Sequence, residues 1–264
     1  MNPITLSLII SFVFGTIIGS FLNVVSLRYN SGLGIGGRSK CFTCGKTLTW
    51  KELIPLVSFL VQKGACKKCR SKISWQYPLV EFLSGALFLL ILFKFPPVSF
   101  EAAVLTALYL FITCIMLVIT VYDMKHKIIP DPLVFAFGIA ALVVTVWLHP
   151  HLDMNLVWAL LAGPICAFPF AALFYASRGK WIGFGDAKLA LGIGWLLGLP
   201  AAASAIALAF WIGAAISLIW MYSRFGKMRG NYQIPFAPYL ILGMYIVLLF
   251  GVSVFDTQAL FGSF

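Results

Sequence analysis

Apolar runs of about twenty residues recur along the chain and constrain its fold more than any other feature. A helix needs about 20 consecutive apolar residues to cross a bilayer. Of the 264 residues, 61% are hydrophobic and 10% are charged, whereas about a quarter are charged in a soluble domain. The sequence therefore predicts an all-α polytopic membrane protein with about eight transmembrane helices. The predicted spans are 5–27, 78–95, 101–122, 132–148, 155–176, 187–199, 200–222 and 235–255.

Two of these spans carry further expectations. The sixth, KLALGIGWLLGL, is short and rich in glycine, so we expect it to lie inside the helix bundle. The first has no basic region before it and no small-residue cleavage site after it. We therefore expect it to be retained as a membrane helix and not removed as a signal peptide.

The positions of Lys and Arg predict an orientation in the membrane. Ten of the 19 fall between Arg28 and Lys72. If that segment is cytoplasmic, the loops 123–131, 177–186 and 223–234 lie on the same side, and 18 of the 19 basic residues are inside. Both termini then lie on the outer side. This bias is typical of membrane proteins and explains the net charge of +11 without a nucleic-acid partner.

Four cysteines in the segment between the first two spans have the spacing of a metal site. They form two pairs, Cys41-Phe-Thr-Cys44 and Cys66-Lys-Lys-Cys69, with 21 residues between the pairs. Two such pairs indicate tetrahedral zinc bound by four thiolates, which leaves no open position and implies a structural role. Disulfides are the alternative, although a cytoplasmic segment is in a reducing compartment. A segment of about 50 residues is too small to form a strong core alone, so a metal is expected to stabilise it.

One acidic motif lies at the end of the third span, where Asp123 is followed by Lys125, Lys127 and the sequence Pro-Asp131-Pro132. A carboxylate at a helix C-terminus opposes the helix macrodipole, so Asp123 is a candidate functional acid. The alternative is a solvated acid paired with Lys125 or Lys127. Asp131 precedes a proline suited to the first turn of a helix, and we predict that it is an N-cap.

A second acidic motif, Gly183-Phe-Gly185-Asp186, starts the sixth span. The two glycines allow a sharp turn and a close approach of the backbone to another segment. Asp186 reads either as an N-cap or as a functional acid. Because the predicted topology places Asp123 and Asp186 at the same membrane edge, the two are expected to form a pair. Two neighbouring carboxylates can share one proton, so that one activates water and the other polarises a carbonyl.

These motifs resemble those of the bacterial prepilin peptidases, a family of membrane aspartic proteases named for a Gly-x-Gly-Asp motif. The resemblance runs nearly end to end. Besides both cysteine pairs, it is carried by Gly19-Ser-Phe-Leu-Asn23 with Arg28, Ile73-Ser-Trp-Gln-Tyr77-Pro-Leu-Val-Glu81, Asp123 with Ile129-Pro130-Asp131, Gly183-Phe-Gly185-Asp186-Ala-Lys188, and Pro235-Phe-Ala-Pro238.

The resemblance implies catalytic residues Asp123 and Asp186 in the bacterial inner membrane. Such an enzyme cuts the basic leader from type IV prepilins and type II secretion pseudopilins. It then methylates the new N-terminus with S-adenosyl-L-methionine, a cofactor for which no pocket residues are assigned here. A peptidase without methyltransferase activity is the alternative, because Ala65 stands where many members have a basic residue. A zinc-containing membrane transporter is an alternative of a different class.

The same reading divides the chain into three parts. Residues 1–27 form the first span, 28–77 a cytoplasmic zinc-binding domain and candidate methyltransferase region, and 78–264 a transmembrane aspartic peptidase domain. The zinc segment lies between the first and second spans.

Overall fold

The computed structural model of the chain describes residues 3–32, 34, 36–151, 153–223 and 234–255. Within these residues the regular structure is helical, apart from two isolated β-bridges. A short 3-10 turn, Trp50–Glu52, precedes α2. The α-helices are α1 (Pro3–Arg28), α2 (Val57–Val61), α3 (Gln76–Lys94), α4 (Phe100–His126), α5 (Asp131–Leu148), α6 (Met154–Ser177), α7 (Phe184–Leu197), α8 (Leu199–Ser223) and α9 (Ala237–Phe250).

Six of these helices are long and apolar enough to cross a membrane: α1, α3, α4, α5, α6 and α8. The prediction of an all-α, multi-pass membrane protein is therefore confirmed. The predicted count of eight is met only when α7 and α9 are included. Each of these has 14 residues, which span about 21 Å at 1.5 Å per residue, less than the roughly 30 Å of a hydrocarbon core. Part of the predicted basic loop 223–234, with Arg224, Lys227 and Arg229, lies outside the described residues.

The chain divides into two compact units, Met1–Val118 and Ile119–Phe264. In the first unit, α1 and α3 pack closely through small residues, as membrane helices commonly do. A β-carbon at Gly19 would lie 2.8 Å from the Cβ of Ser84. The Nδ2 of Asn23 donates a hydrogen bond of 3.2 Å to the carbonyl of Tyr77. These contacts join the two helices that flank the cysteine segment.

In the second unit, α7 is the buried helix, as its glycine content predicted. Leu189, Ala190 and Ile193 are completely buried. The absence of a β-carbon at Gly194 lets α7 approach α6 so closely that a methyl group there would lie 2.5 Å from the carbonyl oxygen of Ala162. Two hydrogen bonds add to this packing: the Trp195 indole donates to the Leu160 carbonyl at 2.9 Å, and the Thr145 hydroxyl donates to the Trp195 carbonyl at 2.6 Å. The helix that carries Asp186 is thus held by its neighbours α5 and α6.

Candidate functional site

Asp123 lies in the last turn of α4 and is buried, with only 4% of its surface exposed. The helix ends just beyond it, where Lys127 adopts a positive φ of 55° and donates its backbone N–H to the Asp123 carbonyl at 2.8 Å. The Oδ2 atom of Asp123 has no hydrogen-bond partner among the described residues. The interpretation of Asp123 as a solvated surface acid is therefore wrong. A buried carboxylate oxygen without a partner is costly and usually has a functional reason.

Asp186 lies in the first turn of α7 and is also buried, with 7% of its surface exposed. The N-cap of α7 is Gly183, so the interpretation of Asp186 as the N-cap is wrong. Its carboxylate instead reaches back towards the backbone N–H of Gly183. A helix N-terminus is favourable for a negative charge, and α7 thus provides a defined environment for this acid.

The two glycines before Asp186 differ in what they contribute. Gly183 has φ −78° and ψ 146°, which any residue can adopt. Gly185, in contrast, packs against the connection between α4 and α5, where a β-carbon would lie 2.9 Å from the Cβ of Ile129. Its role is a close approach of backbone to side chain, and this approach brings the start of α7 next to the segment that follows Asp123.

The structure brings Asp123 and Asp186 into one site. The two carboxylates are close enough for the charge of Asp123 to act on Asp186. Burial strengthens this interaction, because the effective dielectric constant in a protein interior is far below that of water. Such a pair resists double ionisation and can hold a single proton. The pair is therefore chemically suited to acid–base catalysis with water.

Ala237 is a member of this site that the sequence did not identify. It is fully buried at the start of α9, and its backbone N–H is within hydrogen-bonding reach of the Asp123 carboxylate. The available signal was Pro235-Phe-Ala-Pro238, since a proline in the first turn is typical of a helix start. What the motif does not reveal is that this helix start faces Asp123.

Asp131 does not cap α5, contrary to the prediction. Pro130 occupies the N-cap position and Asp131 is the first helical residue. The Nζ of Lys188 donates to Asp131 Oδ1 at 2.7 Å, and 58% of the Asp131 side chain is exposed. This ion pair joins the start of α5 to α7, next to the two buried acids.

The four cysteines of the predicted metal site come together in the first unit. Their Sγ atoms all lie within 4.8 Å of one another, and those of Cys41 and Cys69 are 3.8 Å apart. Four thiolates around zinc at about 2.3 Å would be separated by about 3.8 Å. All four thiols are free, so the disulfide alternative is not supported. The donor set and its spacing fit a metal site.

The two cysteine turns have the same local geometry. In each, the amide after the second cysteine donates to the carbonyl of the first cysteine: Gly45 to Cys41 and Arg70 to Cys66, both at 2.9 Å. Gly45 and Arg70 have φ of 66° and 59°. The backbone amide of Cys44, together with the Ser71 hydroxyl, lowers the pKa of the Cys41 thiol to about 6. A lowered thiol pKa favours the thiolate that binds metal.

Glu52 stabilises the connector between the two cysteine turns, a role that the sequence did not reveal. It is buried and accepts hydrogen bonds from Lys46 Nζ at 2.6 Å and from the Thr49 backbone N–H at 3.0 Å. The interaction with Lys46, followed by that with Thr49, lowers the pKa of Glu52 to about 2. The carboxylate is therefore ionised at neutral pH and holds the first cysteine turn against the 3-10 turn.

Comparison with known proteins shows the family. Residues 13–95 match the bacterial peptidase A24 N-terminal domain, and residues 110–218 match the type IV leader peptidase family. The chain is 33% identical to a Bacillus subtilis prepilin leader peptidase/N-methyltransferase, over 93% of this chain and 95% of the relative. A Burkholderia pseudomallei protein of the same name is 31% identical, over 94% and 87% of the two chains. The chain belongs to the type IV leader peptidase family.

A further relative has a name that describes the cleavage step alone. The type 4 prepilin-like proteins leader peptide-processing enzyme of Escherichia coli O78:H11 is 31% identical, over 96% of this chain and 95% of the relative. No solved structure matches the chain at a significant level.

Proposed function

We propose that this chain cleaves the leader peptide from type IV prepilins and type II secretion pseudopilins, with Asp123 and Asp186 as the catalytic pair. The observation that carries the proposal is the convergence of two buried carboxylates at helix ends, one of them with an unpartnered oxygen. The names of the relatives supply the substrate class. A cleavage site at the cytoplasmic membrane interface would place the scissile bond at the level of these helix ends.

The chemistry follows from the sharing of one proton between two carboxylates. The ionised member removes a proton from water, which attacks the scissile carbonyl carbon. The protonated member donates a hydrogen bond to the carbonyl oxygen and later supplies a proton to the departing amine. Because the two acids titrate as a pair, neither Asp123 nor Asp186 is assigned a fixed role.

We also propose that Cys41, Cys44, Cys66 and Cys69 hold one structural zinc ion. Zinc bound by four thiolates supplies folding energy and has no position for a substrate. Residues 28–77 then form a zinc-binding domain and the region proposed for the methyltransferase. Residues 1–27 form the first span, and residues 78–264 the peptidase domain.

The second proposed activity is methylation of the new N-terminus, which the names of the B. subtilis and B. pseudomallei relatives support. S-adenosyl-L-methionine would supply the methyl group. The proposed location is the bacterial inner membrane, with both termini on the periplasmic side and the zinc domain in the cytoplasm. The positive-inside bias of the sequence supports this orientation.

Mass spectrometry of a prepilin after incubation with the enzyme and S-adenosyl-L-methionine tests both activities together. The expected product lacks the leader and carries one added methyl group. Asp123→Asn and Asp186→Asn should each abolish cleavage while the protein remains folded and inserted. Glu101→Gln, which neutralises an exposed acid in the first turn of α4, is the matched control and should cleave normally. Normal cleavage by either Asn variant would refute the pair, and cleavage without methylation would identify a peptidase alone.

A further inference from the structure

The Asp131–Lys188 ion pair lies next to the two buried acids but has no part in the proposed chemistry. We infer that Asp131 is the specificity-determining residue for a cationic leader, forming an ion pair with a Lys or Arg of the substrate. The inference rests on the proposed function, because it assumes that the substrate's basic leader reaches Asp123 and Asp186.

Asp131 is placed to receive a second cation. Its side chain is 58% exposed, and the described residues provide a partner only for Oδ1, which accepts from Lys188. A surface ion pair of this kind is weak and exchangeable. The carboxylate can therefore contact a substrate cation through Oδ2 alone or by replacing Lys188.

Lys188 has an alternative environment when Asp131 engages the substrate. Its Nζ lies 5.3 Å from the ring centroid of Phe135 and 5.2 Å from that of Phe184. Both distances are within the range of cation–π attraction. The two rings can thus retain the lysine near its present position, so release of Asp131 does not leave an isolated charge.

The location of Asp131 relative to the pair is set by two short connections. On α5, Asp131 follows two residues after Ile129, whose side chain packs on Gly185. On α7, Lys188 follows two residues after Asp186. The exposed carboxylate therefore lies on the loop side of the buried pair, where a leader leaving the membrane helix of a substrate would pass.

The charge distribution of the second unit makes Asp131 distinctive. The segments that follow α4 and α6 carry Lys127, Arg178 and Lys180, all of which oppose a cationic peptide. The other exposed acid of this unit within the described residues, Asp153, lies at the opposite end of α6 as its N-cap. At the end where Asp123 and Asp186 lie, Asp131 is thus the exposed carboxylate that a basic leader can meet. Electrostatic complementarity of this kind sets specificity more than catalytic rate.

The test compares steady-state cleavage of two versions of one purified type IV prepilin, in detergent. One version has its basic leader, and in the other each leader Lys and Arg is replaced by Gln. Asp131→Asn should raise KM for the basic leader about fivefold, the size of one exposed ion pair, with little change in kcat. KM for the Gln leader should stay within twofold of wild type. Glu101→Gln removes the same charge at the far end of α4 and should not change KM for either substrate.

Two further variants separate recognition from a merely structural ion pair. Lys188→Met also breaks the pair but leaves Asp131 available, so KM for the basic leader should fall or stay constant. Asp131→Lys should favour a prepilin whose leader carries Glu in place of its basic residues. If Asp131→Asn and Lys188→Met impair both leaders equally, the pair only stabilises the fold and the inference is wrong. Failure of wild type to cleave any prepilin would instead refute the proposed function.

Discussion

Gly185 and Ile129 are in such close contact that a β-carbon at position 185 would lie 2.9 Å from the Cβ of Ile129. The contact joins the Gly-x-Gly-Asp turn to the segment that follows Asp123. It explains why the second glycine of the motif is needed, since the atom in the way is fixed to the backbone and cannot rotate aside. The spacing between the two acids depends on this contact.

Replacement of Gly185 by Ala is therefore expected to displace α7 from Ile129 and reduce leader cleavage at least tenfold, because misplacement by about 1 Å can cost a hundredfold in rate. The measurement is kcat for prepilin cleavage in detergent, with helix content checked by circular dichroism. Gly183→Ala is the matched variant, because a β-carbon there meets its nearest neighbour, Asp186 Oδ2, at an ordinary 3.5 Å. It should lose less activity than Gly185→Ala, and an equal loss would contradict the steric explanation.

Removal of two thiols should release the proposed zinc. The double variant Cys41→Ser with Cys44→Ser is expected to contain no zinc, whereas wild type contains one ion per chain by elemental analysis. Residues 28–77 should then become sensitive to protease, because so small a segment depends on its metal. Cys114→Ser, in α4, is the control and should retain the metal. Full zinc content in the double variant would show that these thiols are not ligands.

The ion pair of Glu52 with Lys46 predicts a pH dependence that NMR can follow directly. The chain has three glutamates, so Glu52→Gln identifies the Glu52 carboxyl resonance in glutamate-labelled protein. The pKa of Glu52 is lowered from 4.5 to about 2, so its stabilising effect is complete above pH 4.5 and is lost as the pH falls through about 2. Glu52→Gln should destabilise the segment at pH 7 by about 1–3 kcal/mol, the value of a hydrogen bond to a charged group. A Glu52 midpoint near 4.5 would contradict this assignment.

The close packing of α7 on α6 predicts a large effect of a small substitution. Gly194→Ala would place a methyl group 2.5 Å from the Ala162 carbonyl oxygen, and overpacking of this kind costs about 1–3 kcal/mol. The apparent melting temperature in detergent should fall. In Gly213→Ala the nearest neighbour is the ring of Tyr239 at 3.2 Å, which can shift, so the fall should be smaller. Equal stability of the two variants would be inconsistent with the α6–α7 contact.

Much of the fold was accessible from local patterns. The apolar runs correctly predicted the helices, and the cysteine spacing predicted the four-thiol cluster. The glycine content of residues 187–199 predicted a buried helix, which α7 is. These predictions succeeded because hydrophobic periodicity and metal-ligand spacing are properties of neighbouring residues.

The errors have a common physical origin. Asp131 was expected to cap a helix, but it pairs with Lys188, 57 residues away. The 14-residue lengths of α7 and α9 were also not predicted, because helix ends depend on caps and on packing. An alternative partner that is distant in sequence leaves no local signal.

The sequence by itself determined the class of protein, the small cysteine site and the two acidic motifs, since each depends on composition or short spacing. Only the tertiary structure decided that Asp123 and Asp186 are both buried and interact, that Ala237 faces Asp123 and that Asp131 is exposed beside them. Burial and charge–charge interaction depend on how separate helices pack. That packing is set by contacts such as Gly185 with Ile129, whose partners are far apart in the chain.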